Sequence, residues 1–146
     1  MGKIKFGIVG CGRIGTRHAE HICNNNRAEL VAVCDIIKER ANNLSKKYGA
    51  KAMYDFEDML KQDIDIINVC TPSGLHAEMS VKSLNNNKHV LCEKPMTLNL
   101  HDADKIVEAE KQNHKKFFLV KQNRYNPPIK VLKEMVYNNK LGKISI

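Results

Sequence analysis

The residues best placed to do chemistry in this 146-residue chain start at Gly10. Gly10, Gly12 and Gly15 form a GxGxxG run directly behind the apolar stretch Ile4–Val9. In that setting Gly10 permits a tight turn, Gly12 lets the backbone approach a pyrophosphate, and Gly15 lets the next helix pack on the strand. Arg13 and Ile14 open that helix, whose unpaired N–H groups and dipole favour an anion. A second strand-like run, Ala28–Cys34, leads to Asp35, twenty residues after Gly15. A carboxylate at that spacing meets the hydroxyls of an adenosine ribose. It would repel a 2′-phosphate, so NAD is the expected cofactor and NADP the less favoured one. Arg13 and Lys38 stand close enough in sequence to relax this preference. The plain alternative is a glycine turn without a ligand. A strand before the motif, a helix after it and an acid at the right distance argue against that reading.

These residues need a scaffold, and the remaining pattern supplies one. Ile4–Val9 reads as a strand, Arg13–Cys23 as a helix and the β-branched run Ala28–Cys34 as a second strand. A polar helix over 38–47 turns Ala41 and Leu44 inward and stops at Gly49. After a short apolar piece at 51–54, Asp55 caps a helix over 56–61. A buried strand at 65–70 leads through the loop 71–74 into an amphipathic helix, His76–Asn85, with Ala77, Val81 and Leu84 on one face. His89–Cys92 is a strand ended by Glu93, Lys94 and Pro95. Asn99 caps a helix reaching Asn113 that carries Ala103, Ile106, Val107 and Glu110, and 117–120 is the next strand. Pro127 and Pro128 break the chain before a helix over 129–136, and 142–146 begins another strand. Asparagine clusters at 24–26, 85–87 and 138–139 fall where helices end, and asparagine tolerates left-handed cap geometry. Strands alternating with helices imply βαβ units. Nearly continuous apolar strands imply burial on both sides. The expected class is α/β: a doubly wound parallel sheet of Rossmann type with helices on both faces.

Composition excludes several other classes. Hydrophobic residues make up 42% and charged residues 27%, which rules out a disordered or collagen-like chain. The net charge of +8, from 24 basic and 16 acidic residues, suits an anionic partner. The basic residues are scattered, however, with at most two adjacent, and no basic–aromatic repeat accompanies them, so no nucleic-acid partner is expected. The apolar runs are too short to span a bilayer and the first residues lack a signal-peptide layout, so no membrane partner is expected. The expected location is the cytoplasm. Five cysteines, an odd number without CxxC or CxxH spacing, give no support for a disulfide framework or a metal site. Four of them end apolar runs, as small buried hydrophobes do.

Three stretches, KFGIVGCGRIGTRHA, VCTPSGLHAE and HVLCEKPMT, make the chain resemble the N-terminal half of the glucose–fructose oxidoreductase / inositol dehydrogenase (Gfo/Idh/MocA) family. The likeness covers essentially the whole chain. It implies an NAD(P)-dependent oxidoreductase that acts on sugars, sugar nucleotides or cyclitols. It also implies a dinucleotide-binding domain over 1–121, with a connecting helix and the first residues of an α+β substrate domain over 122–146. The segment from Lys121 to Pro128 is similar to the branch that oxidises C3 of UDP-N-acetylglucosaminuronic acid.

On this resemblance Thr71, Pro72, Ser73 and His76 pass under the nicotinamide ribose, although His76 alone would read as an ordinary helix-start residue. Glu93 and Lys94 match the family's EKP motif, with Pro95 fixing the turn, commonly through a cis peptide. Lys94 would lie beside the reacting hydroxyl and stabilise negative charge there as hydride leaves. Gln122 would face the cofactor, and Arg124 and Tyr125 the substrate. For Arg124 a carboxylate or diphosphate ligand and a surface ion pair are both open. The family's catalytic histidine comes from the second domain, and none of His18, His21, His89, His101 or His114 fits its pattern. The 146-residue chain is therefore expected to bind NAD and turn over little by itself. Its partner would be a small sugar or sugar nucleotide, with homo-oligomers formed by the full-length protein. The alternative of another class is a non-catalytic NAD(H) sensor or scaffold, which has no need of Lys94.

Overall fold

In the computed structural model, residues 2–143 are described. They build six parallel strands in the order β3-β2-β1-β4-β5-β6. The strands are β1 (Ile4–Val9), β2 (Ala28–Cys34), β3 (Lys51–Met53), β4 (Ile66–Val69), β5 (His89–Cys92) and β6 (Phe117–Leu119). Between them run α1 (Arg13–Cys23), α2 (Lys38–Tyr48), α3 (Phe56–Leu60), α4 (His76–Asn85) and α5 (Leu100–Asn113), and α6 (Pro127–Tyr137) follows β6. After β3 the chain crosses back to the far side of β1. The order therefore reverses at β1/β4, the position where open α/β sheets hold ligands beyond the carboxyl ends of their strands.

Two apolar cores hold the sheet from its two sides, as near-continuous apolar strands require. Ile8, Val33 and Leu30 meet Ala19 and Ile22 of α1 and Ala41 and Leu44 of α2 on one face. Val9, Ile67, Val69 and Val90 meet Met59 of α3, Leu84 of α4 and Ile106 and Ala109 of α5 on the other. Asp55 caps α3, its carboxylate accepting the N–H groups of Glu57 and Asp58. Asn99 caps α5 by accepting the N–H of Asp102. Gly49 ends α2 in the left-handed region, at φ 74°.

Within the described residues the expected elements form, with bounds shifted by one or two residues, and some details differ. Pro127 and Pro128 do not precede the last helix but begin it, because the first helical turn has no use for the N–H that proline lacks. Along α5 the buried positions are Ile106 and Ala109, the second of which the sequence pattern did not single out. Asn87 and Asn139 adopt the left-handed region, whereas Asn24 ends α1 in right-handed geometry. The strand expected over 142–146 falls mostly on 144–146, outside the described residues. No helix among the described residues is long and apolar enough to cross a membrane.

Candidate functional site

The glycine loop leaves β1 and turns immediately into α1. Gly10 has φ 92°, and a Cβ there would stand 2.6 Å from the carbonyl oxygen of Cys70, so the turn and the neighbouring β4 loop both require glycine. A Cβ on Gly15 would lie 2.0 Å from the Gly10 carbonyl oxygen, which is how closely α1 seats on the turn. A Cβ on Gly12 would meet nothing within 4 Å. Gly12 is the N-cap of α1 and makes no side-chain cap, and the first turn holds no acidic residue. The N–H groups of Arg13, Ile14 and Gly15 precede the first intrahelical bond, in which Thr16 donates to Gly12. Open space and uncapped donors together make a cradle for an anion.

Asp35 follows β2 and is 8% exposed. Its carboxylate accepts the N–H of Cys11 at 2.8 Å and that of Ile37, also at 2.8 Å. The acid thus braces the glycine loop. Each oxygen keeps further acceptor capacity beyond the one N–H it receives.

Beyond the carboxyl ends of β4, β5 and β6 lies a cleft of about 420 Å³. Ile14, Arg17, His18 and His21 of α1 line one wall. Thr71, Pro72, Ser73, His76, Glu93, Lys94 and Gln122 line the rest. Three separate motifs, remote in sequence, thereby share one cavity. The Thr71 hydroxyl is buried and has no hydrogen-bond partner in the protein. A hydroxyl in that state is one that a bound group would satisfy.

His76 is 1% exposed. Its Nδ1 lies 2.7 Å from the Pro95 carbonyl oxygen and its Nε2 2.8 Å from that of Thr71. The imidazole therefore ties the β4–α4 loop to the turn after β5, and both nitrogens are engaged by backbone. The ring lies under the Thr71–Ser73 loop and offers no free nitrogen. The Lys94–Pro95 bond is cis. Lys94 is exposed at the rim of the cleft.

Two expected substrate residues are less central. Arg124 shares an adjoining hollow with Lys94, Val120 and Gln122. Tyr125 is 75% exposed and lines a separate hollow with Lys130, Lys133 and Tyr137 of α6. The structure thus does not bring Tyr125 into the cleft, because the short helical turn Gln122–Tyr125 directs it toward α6. One contact has no counterpart in the sequence reading: His18 meets Glu93 at 2.9 Å. Its signal, a histidine one and a half turns into the helix behind a GxGxxG motif, is too generic to find from sequence.

The cysteines are free. Burial, with Asp35 nearby, pushes the Cys11 thiol up to about 12 and that of Cys34 up to about 11. Burial raises Cys92 to about 11 and lifts Cys70 further still. These thiols line or underlie the site as neutral, unreactive groups.

Sheet order, glycine turn, uncapped helix and braced acid define a dinucleotide-binding domain of Rossmann type. The chain belongs to the Gfo/Idh/MocA oxidoreductase family with an NAD-binding Rossmann fold, whose profile matches residues 4–121. It is 34% identical over 142 residues to a myo-inositol 2-dehydrogenase of Thermotoga maritima, a match covering 96% of this chain and 42% of that protein. The WlbA dehydrogenase of Chromobacterium violaceum, solved with NADH and UDP-GlcNAcA, superposes with a TM-score of 0.94 at 38% identity, over 97% of this chain and 42% of that one. A scyllo-inositol dehydrogenase of Lactobacillus casei, solved with NAD(H) and scyllo-inositol, gives a TM-score of 0.91 at 32% identity, over 97% and 43%. The chain spans less than half the length of these relatives.

Proposed function

We propose that this chain is the cofactor-binding half of a dehydrogenase that moves hydride between NAD and a hydroxyl-bearing carbon of a sugar, sugar nucleotide or cyclitol. The observation that carries the reading is the shared cleft, in which the wall formed by α1 faces Lys94 and the Thr71–Ser73 loop. Residues 1–121 would form the dinucleotide-binding domain, and 122–146 the connection to a substrate domain. The uncapped N–H groups of α1 would hold the pyrophosphate, with Gly12 leaving room for it. Asp35 would accept from the adenosine ribose, which favours NAD over NADP. Thr71, Pro72, Ser73 and Glu93 would border the nicotinamide ribose, and Gln122 would face the ring end of the cofactor.

When bound, the nicotinamide supplies the hydride acceptor and donor. The protein's part at the reacting carbon falls to Lys94. Its ammonium stands at the cleft rim, where it can donate to a substrate hydroxyl and stabilise developing negative charge on that oxygen. Arg124 in the adjoining hollow would serve an acidic substituent of the substrate. In this reading the general base and most of the sugar pocket belong to sequence outside the matched stretch. Free, unpaired cysteines suit the reducing compartment expected for such an enzyme.

Calorimetric titration of the 146-residue chain with NADH and NADPH tests the cofactor assignment. Saturable NADH binding that is tighter than NADPH binding is expected. Absence of NADH binding, or a preference for NADPH, would overturn the assignment or its specificity respectively. The sensor reading is separated by Lys94→Ala in a form of the protein that turns over, since only an enzyme loses activity while keeping the cofactor.

A further inference from the structure

We propose that His18 is a positioning residue for Lys94: it holds the Glu93 carboxylate on α1, so that the helix behind the glycine loop sets the turn bearing the lysine. The inference rests on the reading of Lys94 given above.

Glu93 and Lys94 are adjacent in sequence, opposite in charge and at the lip of the same cleft. A pairing between the two would occupy the ammonium needed at a substrate oxygen. The structure disposes of the carboxylate otherwise. One oxygen, Oε1, lies 2.9 Å from Nε2 of His18, and Oε2 accepts the backbone N–H of Lys94 at 3.1 Å. An ionised carboxylate only accepts, so the imidazole must be the donor in the first contact. Both side chains are largely buried, at 18% and 15% exposure, which limits competition from water. The Glu93 backbone is fixed as well, since its N–H donates to the Val69 carbonyl at 3.0 Å. No carboxylate among the described residues pairs with the Lys94 ammonium.

His18 sits in the second turn of α1, whose first turn carries the donors of the anion cradle. The helix cannot slide on its own strand without opening the Gly15–Gly10 contact. The His18–Glu93 bond and the bond from Glu93 to the Lys94 amide thus link the placement of α1 to that of Lys94. Other groups facing this junction from α1 are Arg17 and His21, which line the same wall. Neither makes a hydrogen bond to Glu93 within the structure.

The test uses the 146-residue chain, ¹⁵N-labelled, as wild type, His18→Ala, His18→Gln and Glu93→Gln. Gln places an amide donor close to the position of the imidazole Nε2, so it is the conservative variant. In His18→Ala the Lys94 amide proton is expected to move by several tenths of a part per million. NADH should still bind within about threefold of wild type, a change of well under 1.4 kcal/mol. The NADH-induced shift of the Lys94 amide should shrink in His18→Ala and return in His18→Gln. Glu93→Gln, which leaves a single acceptor oxygen, should disturb the same amide and keeps the test available if His18→Ala does not fold. An unmoved Lys94 amide in His18→Ala or Glu93→Gln, or identical loss of the signal in His18→Ala and His18→Gln, would overturn the proposal. Failure of the wild-type chain to bind NADH would instead refute the cofactor reading, while the amide comparison in the free chain would still judge His18.

Discussion

The carboxylate of Asp35 and the backbone amide of Cys11 lie 2.8 Å apart, although 24 residues separate them in sequence. This bond ties the end of β2 to the glycine turn at the end of β1, and the second oxygen is held by Ile37 in the same way. Asp35→Asn replaces one of these acceptors with an NH₂ that confronts an N–H. A loss of about 1–3 kcal/mol in urea unfolding is expected, the cost of an unsatisfied buried group. NADH affinity should fall as well, and NADPH should gain relative to NADH because the repelling charge is gone.

Two glycines of one motif should answer differently to the same substitution. Gly15→Ala drives a Cβ into the Gly10 carbonyl, backbone against backbone, so α1 must lift. A destabilisation of about 1–3 kcal/mol is expected, in the range of overpacked sites, together with lost NADH binding. Gly12→Ala meets nothing and sits at φ −74°, which alanine adopts freely. Its stability should stay within about 0.5 kcal/mol of wild type. NADH affinity should nonetheless collapse, because the methyl group occupies the cradle. Thermal unfolding and NADH titration of the pair give both readouts. Equal affinity in Gly12→Ala and wild type would show that no pyrophosphate approaches there.

The thiols give a pH-dependent signature. Cys11, Cys34 and Cys92 titrate above their ordinary value of 9.0 because burial disfavours the thiolate. Between pH 9 and about 11–12 the unfolded chain releases these protons and the native one keeps them. Folding stability is therefore unaffected by them below pH 9 and falls as pH rises through that window. Denaturation curves at pH 8 and 10 should show the loss, and Cys34→Ala should lessen its slope. At pH 8 an aromatic disulfide reagent should react fast with one thiol, the exposed Cys23, and with all five after unfolding.

Lys94→Ala shortens an exposed side chain at the rim of the cleft. Unfolding free energy should change by less than about 0.5 kcal/mol. NADH binding should persist within about threefold. In a form of the protein that turns over, hydride transfer should fall by about 10²–10⁴, the range for a lost acid–base or charge-stabilising group. A fall in cofactor affinity of comparable size would reassign Lys94 to cofactor binding.

Much of this was legible in the residues because each signal was local. The α1 and β1 bounds follow from an apolar run meeting glycines, and the caps at Asp55 and Asn99 from one residue type at one position. Pro127 and Pro128 misled because proline breaks a helix interior yet suits its first turn, and sequence does not show where a helix begins. The site was legible only in part. Gly10, Gly12 and Asp35 announce themselves by spacing, whereas the turn at Lys94 speaks only through likeness to relatives. The pairing of His18 with Glu93 joins residues 75 positions apart and depends on how α1 packs along β1 and β2. Tyr125 failed to reach the cleft for a similar reason, as one short helical turn decides which way its ring points.

The central place of β1 has a consequence for the order in which the protein is made. β1 pairs with β2 on one side and with β4 on the other, Phe6 facing Ile66 and Val9 facing Val69. Its second edge stays open until some sixty further residues have emerged, about 3–12 s at ribosomal speeds. The glycine motif is translated well ahead of β4, yet the turn it forms is wedged against Cys70. A ligand cradle encoded ahead of β2 is thus completed only when β4 and Cys70 arrive.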